Sequence, residues 1–299
     1  MKLIKEVRDF NLKHIFECGQ CFRWEEEPDG SYTGTALGRT INLNMEKRQD
    51  ADAGTENARL IIDGTDENEF EDLWRSYFDF DRDYGEIKRT LSMRDSVIGS
   101  AIAAGSGIRL LNQDNWETLI SFIISQNSNI PRIKKCIEKL SENFGEELPT
   151  YRGKKRYAFP SIEALSELSP QALSEIGLGY RARYITETAK TIARDGGKML
   201  YSLGELPVRE AYEYLVSLCG VGPKVANCIL LFSMQKYESF PIDVWVKRVM
   251  NRLYHIDEND SAKMESFAVE TFGEYGGFAQ QYLFYYMREF PKEQRKQED

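Results

Sequence analysis

Lys224 occupies a position in the sequence where a lysine could act as a nucleophile. It follows the sequence Gly-Val-Gly-Pro at 220–223, which predicts a tight turn and then, from the proline, a new helix. Unpaired N–H groups at a helix start carry positive potential and can bind a phosphate. A lysine in the same turn opposes the helix dipole, which together with burial would favour the neutral amine that nucleophilic catalysis requires. An ordinary solvated lysine beside a glycine turn accounts for the same residues.

Asp243 follows Lys224 by nineteen positions (243 − 224), within the sequence Phe-Pro-Ile-Asp-Val at 240–244. An aspartate just before a helix is commonly its N-cap, and that interpretation requires no catalysis. The positive end of the helix would also keep the carboxylate ionised. Asp243 could therefore cap a helix, take part in chemistry, or do both.

Strands and helices must position these residues, and the sequence shows a separate pattern for each. Up to about residue 65, alternating character predicts strands at 20–24, 32–35, 41–45 and 59–62, with a hairpin turn at Asp29-Gly30 and an exposed loop at 46–57. From about residue 67 the apolar residues recur with a helical period, first at Phe70, Leu73, Trp74, Tyr77 and Phe78. Further helices are predicted at 115–124, 131–144, 207–218, 223–234, 244–254, 262–272 and 278–290, and Ser169-Pro170 opens another.

The order of these patterns predicts an α+β fold. We expect an N-terminal antiparallel β-sheet unit over residues 1–108, a helical domain over 109–290, and a charged tail at 291–299.

The composition, with 41% hydrophobic and 29% charged residues, is that of an ordinary globular protein. No apolar run is long enough to span a membrane, and the first six residues contain no signal-peptide core, so we expect a cytoplasmic protein without a membrane partner. The five cysteines and two histidines argue against a disulfide framework and against a zinc site.

The net charge of −9, taken alone, argues against a nucleic-acid partner. The charge is unevenly spread, however, because residues 130–156 contain eight basic and four acidic side chains. A local basic face can hold phosphates whatever the net charge, although a mixed solvated face explains the same count.

Together the motifs resemble the helix-hairpin-helix DNA glycosylase superfamily, and within it the 8-oxoguanine DNA glycosylase/AP-lyase family. The family's Gly-Val-Gly-x-Lys and Pro-x-Asp-Val patterns match the residues around Lys224 and Asp243. Segments 18–24, 125–132, 177–184 and 277–280 match further family motifs in order along the chain. The resemblance covers nearly the whole chain and implies a helix-hairpin-helix glycosylase bundle after the sheet.

The resemblance implies a role for each of the two candidate catalytic residues. Lys224 would attack the sugar C1′, displace the damaged base and form a Schiff base, and β-elimination would then nick the strand. Asp243 would stabilise the positive charge that develops on the sugar. The substrate would be double-stranded DNA with 8-oxoguanine opposite cytosine, and the damaged base would have to flip out of the duplex. The protein would act as a monomer in base excision repair, near the nucleoid if it is prokaryotic.

A base pocket is also implied. The Gly19 carbonyl would accept the N7–H that 8-oxoguanine has and guanine lacks. Cys228 and Phe284 would sandwich the ring, and Gln280 would contact its Watson–Crick edge. Core packing is the simpler explanation of Cys228 and Phe284 outside the family context.

A DNA-contacting surface completes the set of implied residues. Asn127, Arg132 and Arg181 would contact the opposite cytosine, and Tyr180 would be wedged into the gap left by the flipped base. The hairpin at Gly220 and Gly222 would hold a phosphate. Trp245 stands where vertebrate relatives carry a phosphate-contacting histidine.

No metal and no cofactor is required under this interpretation. A monovalent cation on the hairpin backbone carbonyls is left open, and an iron–sulfur cluster is excluded because no cysteine follows Cys228. One alternative is an alkyladenine-type monofunctional glycosylase, against which Lys224 and the Gly19 segment argue. The other is a non-enzymatic helix-hairpin-helix module, which would bind DNA but form no borohydride-trappable adduct.

Overall fold

The computed structural model of the chain describes residues 2–47 and 58–289, and it consists of an antiparallel sheet followed by helices. This is the α+β fold expected from the sequence. The tail at 291–299 and most of the predicted loop at 46–57 lie outside the described residues. The domain boundary at 108/109 stays a prediction.

Five strands form the sheet in the spatial order β1-β5-β4-β3-β2, with every neighbouring pair antiparallel. Their bounds are β1 (Leu3–Val7), β2 (Trp24–Glu26), β3 (Tyr32–Ala36), β4 (Arg39–Lys47) and β5 (Ala58–Asp63). The strands predicted at 32–35, 41–45 and 59–62 are confirmed, and the predicted turn joins β2 to β3. Strand β1 was not predicted because Lys5 interrupts the apolar face of the strand. The Lys5 ammonium lies 4.3 Å from the centre of the Phe70 ring.

Aromatic side chains fill the core on one face of the sheet. Trp24 stacks on Phe16 with ring centroids 4.1 Å apart, and Trp74 and Phe78 complete the cluster. The helix that the apolar period at 70–78 predicts therefore packs against the sheet. This segment is one continuous helix with a π-helical middle, Phe70–Trp74, between two short α-helical turns.

Sixteen α-helical segments are found in the described part of the chain, and most of them follow the sheet. Their bounds are α1 (Leu12–Phe16), α2 (Glu67–Glu69), α3 (Arg75–Tyr77), α4 (Tyr84–Arg94), α5 (Ile98–Ala104), α6 (Asn115–Ser125), α7 (Ile130–Phe144), α8 (Ile162–Ser166), α9 (Pro170–Glu175), α10 (Arg181–Ala193), α11 (Lys198–Ser202), α12 (Val208–Ser217), α13 (Pro223–Ser233), α14 (Val244–Tyr254), α15 (Ser261–Phe272) and α16 (Gly276–Glu289). Each predicted helix is present within two residues at either end.

Side-chain caps explain why many of these helices begin where they do. Asp114, Asn129, Ser169 and Asp260 each accept the N–H of the residue three positions later, at 2.8 to 3.3 Å. Such a bond satisfies one of the free N–H groups of the first turn. Proline at the first helical position of α9 and α13 also favours a helix start, because its φ is already helical and it has no N–H that would lack a partner.

The strand predicted at 20–24 is wrong, since only Trp24 belongs to a strand. Cys18 and Phe22 pack in the helical core, whereas Cys21 and Trp24 pack in the sheet core. The segment is therefore a connection buried between the two cores, and all of residues 20–24 are buried. In a strand, Phe22 and Trp24 would lie on the same face, whereas here they pack in different cores.

The basic segment at 130–156 is only partly a solvated face. It contains an unpredicted hairpin, β6 (Glu147–Tyr151) and β7 (Lys154–Tyr157). Arg156 is buried, with a guanidinium nitrogen 3.9 Å from Glu25, and Lys134 donates to the Trp24 carbonyl at 2.6 Å. These two cations therefore hold the helical part of the chain to the β2 segment.

None of the helices within the described ranges combines the length and the apolar character needed to cross a bilayer.

The contact between Gly34 and Trp24 gives a test of the sheet core. A Cβ at Gly34 would lie 2.1 Å from the Trp24 ring, so we expect Gly34→Ala to lower the free energy of unfolding by about 1–3 kcal/mol. Urea denaturation measures the change. The matched control is Gly99→Ala in α5, where the added methyl meets nothing within 4 Å and should be neutral or stabilising by up to about 1 kcal/mol. Equal effects of the two substitutions would contradict this packing.

Candidate active site

A cavity of about 1190 Å³ opens between the segment after α1 and the helices α6, α7, α13, α14 and α16. Nine of the residues predicted for a site line it. They are Gly19, Asn127, Gly222, Lys224, Cys228, Asp243, Trp245, Gln280 and Phe284. The remaining four, Arg132, Tyr180, Arg181 and Gly220, lie outside the lining.

The turn before α13 places Lys224 at the cavity. Gly220 has a positive φ of 79°, and a Cβ there would lie 2.6 Å from Tyr184, so this position requires glycine. Gly222 has a negative φ and open space beside it, which leaves its backbone accessible. Lys224 then lies in the first turn of α13, with its Nζ 4.9 Å from the centre of the Phe122 ring, and its charge acts on the Cys228 thiol.

Asp243 is the N-cap of α14. Its Oδ1 accepts the N–H of Trp245 at 2.9 Å and of Val246 at 2.8 Å. Burial raises the pKa of Asp243, while those two N–H groups and the charge of Lys224 act in the opposite direction. The expectation that the helix start would keep this carboxylate ionised stays a prediction, because the two N–H groups favour the charged form and burial disfavours it. The net effect is a raised pKa.

The segment carrying Gly19 is held rigidly. Gln20 donates to the carbonyls of Ile15 (2.9 Å) and Arg109 (2.7 Å) and accepts the N–H of Leu111 (2.9 Å). The backbone carbonyl of Gln20 accepts a hydrogen bond from Gln113 at 2.7 Å. Among the described residues, none donates a hydrogen bond to the Gly19 carbonyl.

Gly19 and Phe284 form one wall of the cavity. Gly19 has a positive φ of 78°, and a Cβ there would lie 3.3 Å from the Phe284 ring. Cys228 is buried on α13, where burial raises the pKa of its thiol and favours the neutral form. Gln280 is buried on α16 and accepts a hydrogen bond from Gln281 at 2.8 Å. A flat apolar ring would fit between such surfaces.

Asn127, Tyr180 and Arg181 meet at the rim. Asn127 donates to the Tyr180 hydroxyl at 3.3 Å, and the Arg181 guanidinium lies 4.6 Å from the Tyr180 ring. Arg181 is itself buried and donates to the Gln126 carbonyl. Tyr180 is 51% exposed, which is unusual for an aromatic side chain, so its ring is accessible to a binding partner.

Arg132 and Trp245 lie at other positions around the same opening. Arg132 is exposed in the first turn of α7. Trp245 is partly buried, and the Arg248 guanidinium lies 5.0 Å from its ring. Their predicted contacts with DNA stay predictions.

Among the lining residues to which the sequence assigned no role are Phe122, Gln126, Lys134, Gln281 and Arg288. Gln126 donates to the Gly220 carbonyl at 2.8 Å and so connects the rim to the hairpin. Gln126 lies in a matched motif and could have been noticed there. The other four are ordinary helix residues in the sequence, and only the folded chain brings them to the cavity.

Within residues 2–47 and 58–289, no three His, Cys, Asp or Glu side chains gather closely enough to hold a metal ion. In the hairpin, the carbonyls of Cys219 and Gly220 already accept hydrogen bonds from Thr188 and Gln126. The monovalent cation on the hairpin carbonyls stays a prediction, as does the absence of any required cofactor.

The two halves of the chain match two protein families. Residues 2–119 match the 8-oxoguanine DNA glycosylase N-terminal domain, and residues 120–274 match the HhH-GPD superfamily of base excision DNA repair proteins. The N-glycosylase/DNA lyase OGG1 of Arabidopsis thaliana is 33% identical over 92% of this chain and 77% of its own length. The N-glycosylase/DNA lyase of Saccharomyces cerevisiae is 31% identical over 86% of this chain and 72% of its own.

Solved structures give the same result at higher identity. The Clostridium acetobutylicum 8-oxoguanine glycosylase/lyase, in complex with double-stranded DNA containing cytosine opposite 8-oxoguanine, is 43% identical. It covers 97% of this chain and 98% of its own, with a TM-score of 0.87. The structure of MBOgg1 with a low-affinity DNA ligand is 46% identical over 97% of this chain and 96% of its own, with a TM-score of 0.88.

The buried charge of Asp243 gives a test of stability. A pKa raised in the folded state contributes stability below the ordinary pKa of the carboxyl, and this contribution is lost as the pH rises through the folded pKa. Asn can still cap α14 through its side-chain oxygen. We therefore expect Asp243→Asn to equal or exceed the wild type in free energy of unfolding at pH 7, measured by urea denaturation.

The matched control for this test is Asp260→Asn, which changes an exposed N-cap of α15 and should be nearly neutral. If Asp243→Asn clearly loses stability beyond the control, the carboxylate of Asp243 does not lower the free energy of unfolding at pH 7, and the prediction is wrong.

Proposed function

Since this chain belongs to the 8-oxoguanine DNA glycosylase family, we propose that it excises its target base through a covalent intermediate at Lys224. The family acts in base excision repair as bifunctional N-glycosylase/DNA lyases, and this chain is such an enzyme. The observation that carries the proposal is the position of Lys224 and Asp243 at one cavity whose opposite wall is Gly19 against Phe284.

The proposed reaction begins with attack by the Lys224 Nζ on C1′ of the damaged nucleotide. A C1′–N bond to the lysine forms as the glycosidic bond breaks, and the bonding pair leaves with the base, which takes up a proton. Opening of the sugar ring gives a C1′=Nζ imine. Loss of a proton from C2′ and departure of the 3′ phosphate oxygen then cut the strand.

Asp243 supports this reaction electrostatically. Positive charge develops on the sugar as the base leaves, and a carboxylate buried in the cavity stabilises it more strongly than a solvated one would. The N–H groups of Trp245 and Val246 fix Asp243 in place before the substrate arrives. It therefore does not have to reorganise during the reaction.

Recognition of 8-oxoguanine is proposed to depend on the Gly19 carbonyl. The oxidised base carries a hydrogen at N7, whereas guanine presents a lone pair there, so only the oxidised base satisfies a fixed acceptor. The anchoring of Gln20 supports this role, because a carbonyl that could turn away would discriminate poorly. Phe284 and Cys228 would hold the ring, and Gln280 its Watson–Crick edge.

The rim residues are proposed to contact the rest of the duplex. Asn127, Arg132 and Arg181 would contact the orphaned cytosine, and exposed Tyr180 would fill the gap in the stack. Amide groups of the 220–222 turn and the Trp245 indole would contact phosphates. We propose that the protein works as a cytoplasmic monomer, close to its DNA substrate.

Lys134 provides the matched control for the nucleophile, because it is the other lysine lining the cavity. Its Nζ donates a hydrogen bond to the Trp24 carbonyl at 2.6 Å, so we assign it a structural role and not a reactive one. With an 8-oxoguanine:cytosine duplex and borohydride, we expect the wild type and Lys134→Gln to form a covalent complex, visible as a shifted band after denaturing electrophoresis. Lys224→Gln should form none.

Trapping that persists in Lys224→Gln, or that disappears in Lys134→Gln at equal folded content, would contradict the assignment of the nucleophile.

The raised pKa of Asp243 predicts a pH dependence of base excision. The carboxylate is the active form, and it is lost as the pH falls through the raised pKa. Single-turnover excision rates should therefore fall on the acid side at a pH above 3.8, the ordinary value for an aspartate. Asp243→Asn should be slow at every pH and lack this limb. An acid limb of the same position in Asp243→Asn would assign the titration to another group.

A further inference from the structure

Arg288 lines the active-site cavity but has no part in the chemistry described above. It lies on α16, one helical turn after Phe284 and two turns after Gln280, so these three residues share one face of the helix. Its side chain is only 17% exposed, which is low for an arginine. A guanidinium so placed must be held by specific contacts.

The first contact is to the segment that carries Gly19. One guanidinium nitrogen of Arg288, Nη2, donates to the backbone carbonyl of Glu17, two residues before Gly19. The Glu17 carboxylate in turn accepts the Tyr32 hydroxyl at 3.0 Å, in the sheet. Glu17 is therefore fixed between the sheet and α16, and this restrains Gly19 two residues later.

The second contact is to Phe284, which forms one wall of the cavity together with Gly19. The Arg288 guanidinium lies 5.7 Å from the centre of the Phe284 ring, and its Nε lies 3.4 Å from the Glu289 carboxylate. Phe284 is the residue that a Cβ on Gly19 would approach to 3.3 Å. One planar cation thus donates to the Gly19 segment and lies beside the Phe284 ring. Its other nitrogen, Nη1, is buried and has no hydrogen-bond partner among the described residues.

We propose that Arg288 is a positioning residue that holds the Gly19 segment in place beside Phe284, and so determines how well 8-oxoguanine is positioned for excision. The inference rests on the proposed function of this pocket. The N7–H of 8-oxoguanine must meet the Gly19 carbonyl at hydrogen-bond distance, so a small displacement of the Gly19 segment weakens this contact. A guanidinium that donates to the Glu17 carbonyl and lies beside the Phe284 ring restrains that displacement.

Strand nicking at an abasic site separates this role from a general one. An abasic site has no base to place in the pocket, yet its nicking needs the same Lys224 chemistry. Removal of Arg288 should therefore impair excision of 8-oxoguanine and leave abasic-site nicking intact. A merely structural residue would affect both reactions together.

Arg94 offers a matched control. It donates to the Phe272 carbonyl at 2.7 Å, pairs with Glu274 at 2.8 Å and lies 5.5 Å from the Tyr275 ring, outside the cavity. These are the same three kinds of contact that Arg288 makes. Arg288→Met and Arg94→Met both keep an apolar side chain and lose the fork.

The experiment measures single-turnover rates on an 8-oxoguanine:cytosine duplex and on a preformed abasic duplex. For Arg288→Met we expect excision to fall roughly 10-fold to 100-fold, the size of effect that a misplaced site produces, with nicking within about twofold of the wild type. Arg288→Lys, which can still donate to Glu17, should recover part of the loss. Arg94→Met should leave both rates within about twofold.

Three outcomes would overturn the proposal: excision by Arg288→Met within twofold of the wild type, an equal fall of excision and nicking, or the same selective loss in Arg94→Met. Failure of the proposed function is visible separately. It would appear as a wild-type protein that nicks the abasic duplex but leaves 8-oxoguanine in place.

Discussion

Asp243 is partly buried and hydrogen-bonded at the same time, and the active site is organised around this constraint. Its Oδ1 caps α14, while burial opposes its charge and raises its pKa. Lys224, in the first turn of α13, provides a nearby charge that acts in the opposite direction. Two helix starts are therefore directed at one cavity. Packing of α13 on α6 and of α14 on α16 holds them there, so the arrangement is in place before any DNA binds.

Base recognition depends on the same kind of rigidity, in a segment that is not a regular element. The residues from Cys18 to Trp24 contribute alternately to the helical core and to the sheet core. Gln20 bonds the segment to three backbone groups at its centre. The connection between the two cores and the wall of the base pocket are thus one structure. A change that loosens the cores would also move the Gly19 carbonyl.

Local sequence signals predicted the parts of the site that depend on local structure. The turn and proline before Lys224 and the cap at Asp243 each act within a few residues, so the sequence displays them. The strand at 20–24 was wrong because this segment is a connection buried between two cores, and its apolar residues pack against distant parts of the chain. The bond from Arg288 to Glu17 joins positions 271 residues apart, and the burial of Asp243 arises from distant helices. Such effects leave no local pattern to detect.

In the proposed reaction, the amine of Lys224 forms the bond to the sugar. To test this, the complex with an 8-oxoguanine:cytosine duplex is reduced with borohydride, the protein and DNA are digested, and the residual sugar adduct is located by tandem mass spectrometry. We expect the added mass on Lys224, in the peptide that begins the α13 helix. An adduct on Lys134, on the N-terminal amine or on any other lysine would contradict it.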